Sequence, residues 1–205
     1  MDESVGFGGV ERDHVRPLLK TLGFRKRALV FTRGRGELTD VVSLQRSSGN
    51  FGGHVRFYVN CGVHSAEFAT AIGDPTVERP REVDCQFRCR LDELAPEAPQ
   101  WFEIDDETDA SAVGPVLVGY LDTAVRALGA VTTADELAHR ISDGVAIEAF
   151  RYRVATGDWA SAREIHRSVR AEFGAEPRWA RIDAIMRSHL PASKASLIDD
   201  GVGSA

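Results

Sequence analysis

The fold is decided by the segment that runs from Leu38 to Val63, LTDVVSLQRSSGNFGGHVRFYVNCGV. Its second half alternates apolar and polar side chains, and the apolar set consists of Val55, Phe57, Val59, Cys61 and Val63. A period of two is typical of a β-strand with one buried face. The glycine-rich stretch between residues 47 and 53 predicts a turn. The segment therefore predicts an antiparallel hairpin of strands 38–46 and 55–63.

The hairpin sorts its side chains onto two chemically different faces. Pairing Leu44 with Phe57 places the apolar residues of both strands on one side. The same register collects polar and aromatic side chains on the other side: Ser43, Gln45, Arg56, Tyr58 and Asn60. We expect the apolar side to face the core.

Further strands are predicted on either side of the hairpin. Residues 27–33 predict a strand before it, and residues 83–91 alternate again after it. In this later strand we expect an inward set of Val83, Cys85, Phe87, Cys89 and Leu91. The outward set is then Asp84, Gln86, Arg88 and Arg90. The stretch 101–104 predicts a short fifth strand.

Helical patterns flank the sheet. An apolar stripe from Val15 to Leu22 ends at Gly23, and a period of 3.6 residues sets in from Ser111. Thr133 and Glu136 have the spacing of a capping box. The predicted fold is α+β: an N-terminal helix packed on an antiparallel sheet of four or five strands, followed by a C-terminal group of about four helices.

The domain organisation predicted from this order has two parts. Residues 11–130 form the sheet domain, and residues 131–191 form a helical extension packed on it or on a partner. Residues 1–9 and 192–205 are rich in small and polar residues, and we expect them to be disordered.

Composition excludes several classes of function. The chain has 205 residues, 43% of them hydrophobic, and a formal net charge of −6, which argues against nucleic-acid binding. The basic runs Arg25–Arg27 and Arg33–Arg35 lie at strand ends and turns, where we expect solvated structural roles. The N-terminus has no signal-peptide pattern, and no apolar run is long enough to span a membrane. We expect a cytoplasmic protein.

The three cysteines do not predict a metal site. Cys61, Cys85 and Cys89 fall on the apolar side of their strands, where cysteine behaves as a small hydrophobic residue. Cysteines four positions apart on one extended strand are also too distant to bind the same ion. We expect neither a metal nor another cofactor.

The polar sheet face is the candidate binding site. It comprises Gln45, Arg56, Tyr58, Asn60, Gln86 and Arg88. Tyrosine and asparagine are less typical of a face that only contacts water than threonine, lysine and glutamate. The competing interpretation is a solvated face, or one covered by the C-terminal helices.

A catalytic alternative rests on His64. Glu67 follows it by three residues, and Asp92 or Glu93 offers another carboxylate that could orient the imidazole for a hydrolase. No recognisable nucleophile or phosphate-binding loop accompanies them. A third alternative is a structural homodimer formed through the terminal helices.

Four short stretches resemble the bacterial domain of unknown function 4304 family. They are LLKTLGF at 18–24, FTR at 31–33, VSLQRS at 42–47 and FYVNCGV at 57–63. The resemblance covers roughly residues 11–128 and implies a stand-alone domain with no established activity, cofactor or catalytic residue. The favoured hypothesis is a non-catalytic domain that recognises another protein, as an immunity-type inhibitor or a regulator does.

Overall fold

The computed structural model describes residues 3–51, 54–105, 110–142, 144 and 146–199. These residues fall into two compact units. The first contains the residues up to 65 and residues 77–133, and the second contains residues 66–76 and those from 134 onward. The segment 66–76 lies within the predicted sheet domain, yet it groups with the C-terminal helices.

The first unit is built on an antiparallel sheet. Its strands in the described chain are β1 (Arg25–Arg27), β2 (Val30–Arg35), β3 (Leu38–Arg46), β4 (Val55–Ser65), β5 (Phe87–Arg90) and β6 (Phe102–Ile104). They follow the order β1-β2-β3-β4-β5, and β6 pairs with the other half of the long strand β4. The predicted α+β class with its antiparallel sheet is confirmed.

Each face of the hairpin carries the side chains predicted for it. Phe57 and Val59 are almost completely buried, whereas Gln45 is exposed. The register differs, because Leu44 pairs with Val59 and not with Phe57. This shift of two residues leaves every side chain on its predicted face, since side chains alternate with period two. We call the side of Phe57 the inner face and the side of Tyr58 the outer face.

The loop of the hairpin explains the shift. The side-chain amide of Asn50 accepts a hydrogen bond from the backbone N–H of Arg56 at 2.9 Å and donates one to its carbonyl oxygen at 3.1 Å. Beyond it, Phe51 and His54 form a bridge of their own. The loop is therefore asymmetric, and the predicted pairing of Leu44 with Phe57 is wrong by two residues.

Two of the predicted strands begin or end elsewhere. The stretch 27–33 contains a tight turn at Ala28, whose φ of 52° separates β1 from β2. The stretch 83–91 contributes only β5, because Glu82–Asp84 form a 3₁₀ turn and Leu91 opens helix α4 (Leu91–Leu94). Val83 is 56% exposed, so its predicted inward position is wrong.

Helices pack on the inner face. The N-terminal region forms α1 (Glu3–Val10), a π-helical segment (Glu11–Val15) and α2 (Arg16–Thr21). Residues 3–9 belong to the segment for which we predict disorder and lie in α1, and Phe7 is buried edge-on against Phe57 at 5.0 Å between ring centroids; residues 1 and 2 lie outside the described residues. Helix α5 (Ala110–Gly129) packs against α1 and β4. Its stripe includes the buried Leu117 and Leu121.

A charged cluster lies within the apolar inner face. Asp40 is fully buried between two arginines: Arg33 donates to its Oδ2 at 2.7 and 3.0 Å, and Arg35 donates to both of its oxygens. Arg33 also donates to the carbonyl oxygen of Leu22 after α2, and Arg35 to that of Leu128 in α5. The cluster therefore joins the sheet to two helix C-termini, where cations are favourable. The solvated roles expected for Arg33 and Arg35 are wrong.

The second unit is helical. It comprises α3 (Ala66–Ala71), α6 (Ala134–Ile141), α7 (Ala146–Thr156), α8 (Trp159–Phe173), α9 (Trp179–Ser188) and a 3₁₀ helix (Ala192–Ile198). Phe68 stacks on Tyr152 at 4.5 Å between ring centroids. Residues 192–198 belong to the segment for which we predict disorder and form this 3₁₀ helix, in which Ile198 is buried; residues 200–205 lie outside the described residues.

Candidate binding face

Three of the predicted site residues meet on the outer face. Gln45 pairs across the strands with Tyr58, and Asn60 lies two positions further along β4. Arg90 of β5 completes the group: its guanidinium lies 4.6 Å from the centroid of the Tyr58 ring and donates to Gln45 Oε1 at 3.3 Å. A second hydrogen bond from Arg90 reaches Asn60 Oδ1. We call Ser43, Gln45, Tyr58, Asn60 and Arg90 the Tyr58 cluster.

The buried side chain of Asn60 connects the Tyr58 cluster through hydrogen bonds. Asn60 is only 6% exposed, and its Nδ2 donates to Ser43 Oγ at 3.4 Å and to Gln45 Oε1 at 3.1 Å. Both polar ends of this buried amide are therefore satisfied within the sheet. These hydrogen bonds, with the contact between Arg90 and Tyr58, order the exposed side chains of Gln45, Tyr58 and Arg90 before a partner binds. Their prior order lowers the entropy cost of binding.

Arg56 lies at the β6 side of the outer face. Its guanidinium donates to Glu103 Oε1 at 2.7 and 2.5 Å and lies 4.8 Å from the Trp101 ring centroid. The hydrogen bond to Glu103 raises the pKa of Arg56 above its usual value. His54 Nε2 is 3.8 Å from the same carboxylate oxygen. Aromatic and charged groups therefore extend the surface beyond the Tyr58 cluster.

Gln86 and Arg88 do not join the Tyr58 cluster. Gln86 is buried, and its Oε1 accepts the backbone N–H of Ser65 at 2.8 Å. Arg88 is exposed and pairs with Gly62 in the neighbouring strand. Cys85 lies directly over Gly62, since a Cβ built at this glycine would be 2.9 Å from the Cys85 sulfur. The loop before β5 thus covers this end of the outer face.

The position of Cys85 corrects one prediction about the cysteines. Cys61 and Cys89 pair across the inner face as expected, but Cys85 covers the outer face because β5 begins only after it. Burial raises the pKa of both Cys61 and Cys85. Their thiols are therefore protonated near neutral pH, whereas a metal ligand is a thiolate. In the described part of the chain, no group of three or more His, Cys, Asp and Glu residues is placed to hold a metal.

His64 is a buried residue of the first unit. Burial lowers its pKa, and the carboxylate of Asp84 only partly opposes this shift. Among the described residues of that unit, His64 makes no hydrogen bond with a carboxylate. Glu93 instead accepts the backbone N–H of Arg90 at the start of α4. Glu67 belongs to the second unit. Burial raises the pKa of Tyr152 there, and the negative charge of Glu67 raises it further.

The second unit contains a buried histidine–carboxylate pair. His166 Nε2 is 2.7 Å from Asp183 Oδ1, which joins α8 to α9, and Trp179 packs beside the imidazole. Burial pushes the pKa of Asp183 upward, but hydrogen bonds from Arg187 and His166 outweigh it and lower the pKa. The pair therefore has a structural role, because it connects two helices of the second unit.

Arg90, Trp101 and Glu103 are the site residues that sequence reasoning missed. Arg90 was assigned to the outward side of its strand, but its neighbours depend on the pairing of β5 with β4. Glu103 faces Arg56 only because β6 returns to the same edge of β4. Of these three residues, only Arg90 was indicated by the sequence, because the alternation of residues 83–91 places it on the outward side of its strand.

The outer face is positively charged although the chain is acidic. By strand register it carries five arginines and one glutamate: Arg25, Arg27, Arg56, Arg88, Arg90 and Glu103. The whole chain has a formal net charge of −6. The charge is therefore distributed unevenly, and this face attracts negatively charged groups.

Comparisons with known proteins identify the sheet region. A family model described as a domain of unknown function, DUF4304, matches residues 15–126. Neither the curated proteins nor the solved structures contain a match to this chain. Within the described residues, every helix is too short or too polar to cross a membrane. The family model covers more than half of the sequence and spans all six strands, and the chain therefore belongs to the DUF4304 family.

Proposed function

We propose that this chain is a non-catalytic binding domain that recognises another protein through its outer face. The observation that carries the proposal is the Tyr58 cluster, in which an arginine is stacked on a tyrosine over a buried amide base. Such a cluster presents a large contact area whose side chains are already ordered. The role is that of an inhibitor or regulator of the bound protein.

The composition of the face supports a protein partner. Tyrosine, tryptophan and arginine are the residues enriched at the energetic centres of protein interfaces. Tyr58, Trp101 and Arg90 supply all three types, and Phe51 in the hairpin loop is 74% exposed. The Phe51 ring lies 6.0 Å from the His54 ring between centroids, and His54 is near Glu103, so this exposed phenylalanine extends the contact surface.

Charge indicates what kind of protein fits. Five arginines against one glutamate on the outer face favour a partner with an acidic patch. Complementary charge accelerates encounter and rejects partners of the same sign. We therefore expect binding to weaken as salt is added, because salt screens charges at distances beyond about 8 Å at physiological ionic strength.

The two alternatives have less support. The hydrolase requires His64 as a base oriented by a carboxylate, but His64 is buried, and no carboxylate among the described residues of its unit forms a hydrogen bond with it. The homodimer formed through the terminal helices would leave the Tyr58 cluster without a role, and the arginines of the outer face would repel a second copy docked on that face. The homodimer is a distinguishable outcome of the experiment below.

Photo-cross-linking in the native cells tests the proposal. A photoreactive amino acid replaces the exposed Gln45, and a control chain carries it at the exposed Glu172 of α8. We expect one adduct of defined mass from position 45 and none of that mass from position 172. Arg88→Glu should reduce the adduct about tenfold by reversing a charge of the face. The matched change Arg16→Glu, on an exposed residue of α2, should not.

Each other outcome contradicts the proposal. The same adduct from both positions, or an adduct unaffected by Arg88→Glu, would mean that the outer face is not the contact. An adduct of twice the chain's mass would support the homodimer instead. If no adduct forms while the variant is stably expressed, the face has no protein partner in these cells.

A further inference from the structure

A polar cavity lies on the outer face beside β1, away from the Tyr58 cluster. Its volume is about 600 Å³. Three short segments of the sheet and one loop line it: β1, the middle of β2, Thr39 of β3, and residues 78–80. Pro80 is buried and fixes the loop, whereas Arg79 beside it is exposed. The cavity belongs entirely to the first unit.

Three arginines line this cavity: Arg25, Arg27 and Arg79. Among the described residues, none of the three forms an ion pair with a carboxylate, whereas Arg33, Arg35 and Arg56 each have one. Lys26 lines the cavity through β1, but its ammonium binds Glu11 at 2.6 Å and does not add to the unpaired charge. Glu78 is the one carboxylate in the lining, so the cavity keeps a net positive charge.

Hydroxyl groups complete the lining. Thr32 and Thr39 are half-buried on adjacent strands, and both belong to the outer face by register. Threonine hydroxyls donate hydrogen bonds to anionic oxygens, and guanidinium groups bind phosphates with two parallel hydrogen bonds. The cavity thus combines the two kinds of donor that a phosphate group requires.

We infer that this cavity binds a small molecule carrying a diphosphate or triphosphate group. Each of the three unpaired guanidinium groups can form two parallel hydrogen bonds, so together with the threonine hydroxyls they can hold more than one phosphoryl group. A volume of about 600 Å³ lies within the range of small-ligand pockets. Residues 78–80 wall the cavity beside the sheet, and this concave shape favours a small molecule over a nucleic-acid strand. Arg25 and Arg27 also contribute to the charge of the outer face, but no residue of the Tyr58 cluster lines the cavity, so the two sites can be tested separately.

The inference gives a further role to the basic run Arg25–Arg27, which is exposed on β1. Taken alone, that run predicted a solvated end of a strand. The structure brings Arg79 to it from more than fifty residues further along the chain. Charge on an edge strand protects it from aggregation, and the positive charge of three arginines from two segments of the chain also attracts an anion into the cavity that they line.

Calorimetry on the full chain tests the inference. Pyrophosphate and ATP are titrated separately in about 150 mM salt, with adenosine as the phosphate-free control. We expect saturable one-to-one binding of both phosphates and none of adenosine. Arg25→Gln combined with Arg27→Gln should weaken binding about tenfold or more, and so should Arg79→Gln. The matched pair Arg16→Gln and Arg181→Gln, on exposed helical positions, should leave binding unchanged.

Comparing the affinities for pyrophosphate and ATP shows which part of the ligand the cavity recognises. Equal affinity for pyrophosphate and ATP would identify the phosphate group as the whole determinant, and tighter ATP binding would add a contribution from the nucleoside. Absence of saturable binding up to about 1 mM would overturn the inference, as would an equal loss in the matched control. Displacement of pyrophosphate by a single-stranded oligonucleotide at lower concentration would overturn it in favour of nucleic acid. Unchanged thermal melting of Arg79→Gln shows that folding is not responsible.

Discussion

Replacing Asp40 with alanine is expected to lower the free energy of unfolding by about 3–5 kcal/mol. Asp40 is fully buried, and its two oxygens accept hydrogen bonds from Arg33 and Arg35. Its removal leaves two guanidinium groups close together without a counter-charge. Because both arginines also bind carbonyl oxygens at helix C-termini, the loss should loosen α2 and α5 as well as the sheet. Urea denaturation followed by circular dichroism measures the change.

A matched control separates this effect from the loss of any aspartate. Asp122 forms an exposed ion pair with Arg126 on α5, and Asp122→Ala should cost at most about 0.5 kcal/mol. Adding Arg33→Met to Asp40→Ala should recover part of the stability, because one uncompensated charge is removed. Equal effects of Asp40→Ala and Asp122→Ala would contradict the structural role of the cluster.

Replacing Gly62 with valine is expected to cost about 3 kcal/mol of unfolding free energy. A Cβ at this position would be 2.8 Å from the Phe87 carbonyl oxygen and 2.9 Å from both the Cβ and the sulfur of Cys85. The neighbouring strand and the loop over the outer face must therefore move apart. The same urea titration measures the loss, and the smaller Gly62→Ala should cost less.

Gly34 provides the control for this change. It lies in β2 of the same sheet, and a Cβ there would meet nothing within 4 Å. Gly34→Val should change stability by no more than about 0.5 kcal/mol, since valine suits an open strand position. If the two valine variants are equally stable, Cys85 does not cover the outer face at Gly62.

The alternation of side chains carried most of the correct predictions. The faces of Phe57 and Tyr58 follow from period two alone, so they survive a register error of two residues. The error itself came from the loop, where the Asn50 side chain replaces a backbone partner of Arg56. Side-chain contacts of this kind depend on conformation and leave no pattern in the sequence.

The ends of strands were harder to predict than their faces. Val83 and Leu91 continue the alternating pattern of β5, yet Val83 lies in a 3₁₀ turn and Leu91 begins helix α4. Each short element is stabilised by a local hydrogen bond: Asp84 accepts the backbone N–H of Arg81, and Glu93 accepts that of Arg90. Local capping outweighed β-propensity at both ends of the strand.

The buried charges were predictable in part. Parity places Asp40 on the same face as Leu38 and Val42, which is an unusual position for a carboxylate. Arg33 and Arg35 share that face because they are two residues apart. Their common contact with Asp40 follows from the pairing of β2 with β3, so a search for charged residues on apolar faces would have found the cluster.

The candidate site was predicted only where it lies on one hairpin. Gln45, Tyr58 and Asn60 were found because β3 and β4 are consecutive and connected by a short loop. Arg90 and Glu103 reach the same face from strands formed much later in the chain. Gln86 was misplaced because it precedes β5, where parity no longer applies.

Thiol labelling of a Gln45→Cys variant tests the central claim most directly, which is that the outer face is open at the exposed part of the Tyr58 cluster while the inner face is buried. Cys61 lies on the inner face and is fully buried, so it serves as the internal reference within the same molecule. We predict that the cysteine at position 45 reacts at nearly the rate of a free thiol under native conditions, while Cys61 reacts only after unfolding. Protection of position 45 comparable to that of Cys61 would contradict the account.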